Sequence, residues 1–276
     1  MSEIQKLLDE AKRLFENSQF EKSADLLLHV AQLYVKSGHS KYAIDRYNNA
    51  AFCFYKGGNI KRAIQAYKDA LELTEKLGNL EGKVSQLTGI GRMFKQSGNA
   101  NKAFSYYQEA LGIAEEIQYS KGIADTLTEI GTILYERKKY EDALEKYLLA
   151  LEFTTQLKDK ELENTLAFNI SKILNNENSQ SLAKSICKIA TDYNKKDKND
   201  YALFLSKNAI TLFKDMNYID ETLMIMNNLG NIYESQGLNN DAIQIYTEAL
   251  KICEQKGDSK MSIRLTNVIK KLKSNS

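Results

Sequence analysis

The chain has 276 residues, 43% of them hydrophobic and 27% charged, which is the balance of a packed globular protein and excludes wholesale disorder. Its 38 Lys and Arg against 36 Asp and Glu leave a formal charge of +2, too little for the strong positive field of a nucleic-acid or anionic-membrane binder. It contains no proline and no tryptophan, which argues against a sheet protein with proline-punctuated turns. Its aliphatic runs, such as Leu26-Leu27-Leu28, are too short for a membrane-spanning helix. The stretch Met1-Ser2-Glu3-Ile4-Gln5-Lys6 lacks the apolar core of a signal peptide. The expectation is a soluble, cytoplasmic, all-α protein.

In chain order, the first predicted pair of helices covers Glu3–Glu16 and Phe20–Lys36, with Ala24 and Ala31 seven residues apart on one face. From about residue 42 a repeat of 40 residues sets in: Ala63, Ala103 and Ala143, each followed four residues on by Tyr67, Tyr107 and Tyr147. Ala70-Leu71, Ala110-Leu111 and Ala150-Leu151 come seven after the first alanine, and Ala51, Gly91 and Gly131 come twelve before it. Residues four and seven apart share a helix face, so the small residues let two helix backbones approach while the tyrosine fills the space beside them. Gly58-Asn59 and Gly98-Asn99 supply the turn inside a hairpin, and Gly78 and Gly257 end its second helix. These tyrosines therefore read as core, not as a base-stacking ladder.

The rhythm loosens over residues 158–216. Ser171, Ala183 and Ala190 keep the register, and then Ala202 and Ala209 arrive 19 residues after Ala183 instead of 20. Three helices are expected there, shifting the alternation by one, with the polar run Tyr193-Asn194-Lys195-Lys196-Asp197-Lys198-Asn199-Asp200 as a loop within a continuous stack, favoured over a hinge between two half-solenoids because the alanine spacing resumes at once. The register returns as Gly230, Ala242, Tyr246 and Ala249-Leu250, and a capping helix over 260–273 turns Ile263, Val268, Ile269 and Leu272 inward. The whole reads as about fourteen helices in one right-handed superhelical solenoid of stacked helix–turn–helix hairpins, a single domain spanning 1–276.

Catalytic and metal motifs are not expected. Cys53, Cys187 and Cys253 are far apart and sit where small core residues fit. His29 and His39 have no ligand partners at metal-binding spacing, and no phosphate-binding glycine loop occurs. No cofactor and no metal are expected. An enzyme site in the irregular segment 158–216 is the remote alternative.

The register resembles the tetratricopeptide repeat over residues 42–157 and 222–257, through Gly91, Ala103, Tyr107 and Ala110, then Gly131, Ala143, Tyr147 and Ala150, then Gly230, Ala242, Tyr246 and Ala249. The 40-residue period is similar to that of kinesin light chains and related polarity adaptors, and Met226-Asn227-Asn228-Leu229-Gly230-Asn231-Ile232-Tyr233 is especially like theirs. Residues 11–78 also resemble the soluble NSF attachment proteins, through Phe20, Ala24, Val30-Ala31-Gln32-Leu33, Ala43, Ala51-Phe52-Cys53-Phe54 and Ala63-Ile64. The tetratricopeptide likeness implies that first helices line a concave face that binds partner proteins. Its expected lining is Asn48, Phe52 and Tyr55; Thr88, Arg92 and Lys95; Thr128, Thr132 and Tyr135; Phe168, Lys172 and Asn175; and Asn227, Asn231 and Glu234. A carboxylate clamp of the chaperone-binding type is not expected, since Asn231 alone matches it. The expected function is a non-enzymatic adaptor or scaffold that holds a peptide or helix of another protein, acidic with apolar anchors, and no nucleic acid. The second likeness implies instead an adaptor that binds SNARE bundles and an ATPase in membrane fusion.

Overall fold

The computed structural model describes residues 3–176, 179–197 and 199–274, and among them every regular element is a helix. The side chains of Ser171 and Asn175, and residue Lys198, lie outside the described set. The chain divides into two compact units, Met1–Ile133 and Leu134–Ser276.

The first unit contains α1 (Glu3–Glu16), α2 (Phe20–Lys36), α3 (Ser40–Lys56), α4 (Ile60–Lys76), α5 (Leu80–Gln96), α6 (Ala100–Glu116) and most of α7 (Ser120–Glu136). From α1 to α6 each helix packs on the next, as a stack of hairpins must. The contact faces are built from the small residues of the repeat: Ala24, Ala31, Ala51, Ala63, Ala70, Ala103 and Ala110 have no exposed surface. Tyr107 is fully buried and Tyr67 half-buried. At residues 38, 58, 78 and 98 the turn is made by a glycine in the left-handed conformation, and the chain closes with a double hydrogen bond. At Gly58, for example, φ is 80°, its N–H donates to the Tyr55 carbonyl at 3.0 Å, and the Asn59 N–H donates to the Phe54 carbonyl at 2.8 Å. The asparagines after these glycines cap the helix that follows: Asn59 accepts from the Arg62 N–H, Asn79 from Gly82 and Asn99 from Lys102.

The second unit contains α8 (Tyr140–Leu157), α9 (Lys160–Asn176), α10 (Ser179–Lys195), α11 (Asn199–Asp215), α12 (Ile219–Ser235), α13 (Asn239–Lys256) and α14 (Ser259–Ser274). Three helices do occupy the irregular segment. α9 lies against α8, while α10 and α11 both reach back to α8 and α10 also packs on α12. Inserting α9 therefore shifts the alternation, as the 19-residue step from Ala183 to Ala202 requires, and both alanines are fully buried. The expected long loop at 193–200 is shorter than its polarity suggested. α10 runs through Lys195 and α11 begins at Asn199, because the polar side chains stand on outward helix positions or bond to neighbours, as Tyr193 does to Glu145 at 2.5 Å. In α14 the buried stripe is Leu265, Ile269 and Leu272, with Val268 half-buried. Ile263 is 64% exposed, contrary to expectation, because two residues of helix turn it about 200° from Leu265.

Candidate partner-binding face

The residues expected to line the face of the first helices divide by environment. In the first unit Thr88 and Thr128 are buried, and each hydroxyl donates to a carbonyl one turn back, Val84 and Ala124, both at 2.8 Å. They belong to helix packing and have little left to offer a ligand. Thr132 is half-buried and donates to the Thr128 carbonyl at 2.9 Å. On α3, Asn48 and Tyr55 are half-buried, while Phe52 stands 46% exposed and stacks on Phe15 of α1 at 6.0 Å between ring centres.

Arg92 and Lys95, one turn apart on α5, are not free cations. The Glu129 carboxylate of α7 accepts from Arg92 Nε at 2.7 Å and from Lys95 Nζ at 2.6 Å, and the Tyr107 hydroxyl donates to it at 3.3 Å. Only 15% of the Glu129 side chain is exposed. Burial pushes its carboxyl upward, but Arg92 and Lys95 outweigh burial and hold it below its ordinary value. The two cations thus anchor a helix junction, and the charge they present to a partner is reduced by one carboxylate. Sequence position had shown the cations; the partner 34 residues away from Lys95 carried no local signal.

In the second unit the same two places after the small residue hold Asn231 and Glu234 on α12. The Tyr246 hydroxyl of α13 lies 2.6 Å from Glu234 Oε1 and 2.8 Å from Asn231 Oδ1 and shares its proton between them. Burial, with Glu234 reinforcing it, pushes that hydroxyl well up. Asn227 is half-buried, and Tyr135 packs edge-on against Tyr140 at 5.4 Å. On α9, Phe168 is 60% exposed with Lys172 Nζ 4.1 Å from its ring centre, an outward cation–π pair. The positions read from the register thus include buried hydroxyls, internally spent charges, half-buried side chains such as Asn48, Tyr55 and Asn227, and two exposed aromatic anchors, Phe52 and Phe168.

The family model described as soluble NSF attachment protein matches residues 2–167, well beyond the stretch whose residues carried that likeness, and a tetratricopeptide-repeat model matches residues 222–256. No curated protein matches the sequence. Among solved structures, the apo form of RapI is 14% identical, with 99% of this chain and 98% of that chain covered and a TM-score of 0.57. The apo form of the quorum sensor NprR from B. thuringiensis is 17% identical, with 98% and 76% covered and a TM-score of 0.52. The Rap conjugation gene regulator of the plasmid pLS20, in complex with the Phr* peptide, is 16% identical, with 97% and 74% covered and a TM-score of 0.51. At these identities the likeness shows the helical-repeat fold alone.

Proposed function

The chain belongs to the soluble NSF attachment protein family, and from that premise we propose that it is a non-enzymatic cytoplasmic adaptor that holds a linear or helical segment of a partner protein against its first helices. The observation that carries this reading is the family match over residues 2–167, which coincides with the hairpins whose inward face is alanine and whose outward positions include Phe52. A helical-repeat protein of similar fold, the pLS20 regulator, has been solved with a peptide bound, which supports a peptide or helix as the kind of partner. The family implies a SNARE bundle as the segment held and a hexameric ATPase as the second partner. The partner surface is acidic with apolar anchors: Phe52 and Tyr55 supply apolar area in the first unit, and Phe168 with Lys172 supplies an apolar and cationic pair in the second. Among the described residues no helix is long and apolar enough to cross a membrane.

The test is direct. Purified full-length chain is mixed with an assembled SNARE four-helix bundle, and co-elution on gel filtration is followed with and without the ATPase. Lys172→Glu, which puts a carboxylate beside Phe168, is expected to weaken the complex and flatten its salt dependence. A folded chain, verified by circular dichroism, that binds neither the bundle nor the ATPase sinks the proposal.

A further inference from the structure

Between α1, α2 and α3 lies a cleft of about 470 Å³. Leu8, Phe15, Leu27 and Phe52 form its apolar walls, and Ser23 and Cys53 lie buried at its floor. The floor is polar but satisfied: the Ser23 hydroxyl donates to the Ala11 carbonyl at 2.7 Å and lies 3.8 Å from Cys53 Sγ. Arg46, which also lines the cleft, is different. Its Nε is buried and donates to no acceptor. The rest of the side chain is half-buried, and no ion pair among the described residues holds its guanidinium, so the group has its charge to offer an anionic acceptor that enters the cleft. The surrounding charges agree. Lys12 and Arg46 line the cleft with one carboxylate, Asp9, which already accepts from the Gln5 amide at 2.9 Å; Lys12 lies 3.9 Å from Glu16 outside the cleft, and Lys56 Nζ stands 5.4 Å from the Phe52 ring at its rim.

Resting on the adaptor reading above, we propose that this cleft is the anchor subsite of the face: it takes one large apolar side chain of the partner segment, aromatic or leucine-sized, and the Arg46 guanidinium donates to the partner's neighbouring carboxylate. The cleft continues the α3 face along which Asn48 and Tyr55 lie one turn to either side of Phe52, so a segment anchored here runs on along that face. A cleft of about 470 Å³ has room for one large side chain with its flanking backbone: walls of Leu and Phe for the apolar body, and the Arg46 guanidinium for the charge beside it. The apolar insertion supplies most of the affinity, and the Arg46 pair sets which neighbour is tolerated.

The experiment uses full-length chain with methyl-labelled leucines and a ten-residue probe peptide of Asp, Glu and Ser carrying one Phe. Saturable shifts are expected at Leu8 and Leu27. Replacing the probe's Phe by Ser, or Phe52→Ser in the chain, should weaken binding about tenfold or more, the usual cost of removing an interface anchor. Arg46→Gln should abolish the preference for the acidic probe over its Asn/Gln counterpart, while thermal stability stays level because no hydrogen bond or ion pair within the chain is lost with the guanidinium. Absence of saturable shifts at millimolar peptide overturns the proposal, as does equal binding of acidic and neutral probes by the unaltered chain. Phe52-dependent self-association in sedimentation, or Phe52-dependent capture by anionic vesicles, would assign the cleft to a second copy or to lipid and likewise overturn it. A SNARE bundle bound equally by the unaltered chain, Phe52→Ser and Arg46→Gln removes the anchor subsite while leaving the adaptor reading in place.

Discussion

A Cβ added to Gly91 of α5 would stand 2.5 Å from Cε1 of Tyr107 on α6, closer than real side chains approach. The ring lies directly on the helix backbone, so the glycine is a seat for it. Gly230 does the same beneath Tyr246, closer still, and Gly89 receives the edge of Tyr67 at 2.7 Å. Gly112 of α6 is also mid-helix, but an added Cβ meets nothing within 4 Å.

The two glycines therefore predict opposite signs for one substitution. Gly91→Ala should destabilise by about 1–3 kcal/mol through overpacking, although alanine is the better helix former. Gly112→Ala should stabilise by up to about 1 kcal/mol, the helix-propensity gain with no steric charge against it. Urea denaturation with an unchanged m-value reads both. Equal stabilisation by the two variants would show that Tyr107 has no fixed seat.

Glu129 predicts a pH dependence. Its carboxyl is held below the ordinary 4.5 by Arg92 and Lys95 against the upward push of burial, so its stabilising contribution is complete above 4.5 and is lost as pH falls through the lower folded value. Glu129→Gln leaves Lys95, Arg92 and the Tyr107 hydroxyl with a weaker acceptor and should cost about 1–3 kcal/mol near neutrality. The gap in stability between the two chains should be flat from pH 6 to 8 and close below about pH 4.5. A gap that persists at pH 3 would place the loss in packing instead of charge.

The fold was legible because its determinants are local and periodic. Ala103 and Ala143 recur at fixed distance from Tyr107 and Tyr147, and all four are buried where that spacing put them. The shift at α9 was legible for the same reason, through one shortened step between alanines. The face was less legible. Thr88 and Arg92 are a single turn apart on α5, and which is buried and which is tied depends on residues from other helices. The cation pair at Glu129 and the unpaired Nε of Arg46 arise from groups brought together in space, and spacing along one helix contains neither. Ile263 departs from expectation for a simpler reason: apolarity alone does not give direction on a helix, and Leu265, Ile269 and Leu272 fix the stripe.

The three thiols should be inert in the folded chain. Cys53 and Cys253 are buried, and Cys187 is half-buried with its Sγ 3.8 Å from the Met224 carbonyl. Burial raises all three, Cys187 to about 12, so almost no thiolate exists near neutral pH. Iodoacetamide at pH 7.5 should label none of them appreciably faster than the chain unfolds, and all three at once in denaturant. Rapid labelling of Cys187 alone would revive the enzyme reading for residues 158–216, since a nucleophile there needs the thiolate.

Each described turn passes through one left-handed residue, and these fall every 20 residues at 18, 38, 58, 78, 98, 118, 138 and 158, then again at 197, 217, 237 and 257. Half are glycines, and half are Ser18, Gln118, Lys138, Lys158, Asp197 and Asn217, with φ between 55° and 60°. A side chain in that conformation costs roughly 1–2 kcal/mol, offset in part by the greater chain entropy that glycine loses on folding, about 0.5–1 kcal/mol. Lys158→Gly should therefore stabilise the chain by up to about 1 kcal/mol, and Gln118→Gly likewise. Gly98→Ala should cost about 1 kcal/mol by the same balance reversed, with no clash involved, since nothing lies within 4 Å of an added Cβ. Asn217→Gly should gain least, because asparagine tolerates the left-handed region better than lysine or glutamine. Thermal melts of these four variants rank the turns directly. If Gly98→Ala melts with the unaltered chain and Lys158→Gly below it, the turns owe nothing to backbone conformation and the 20-residue rhythm of left-handed residues has another cause.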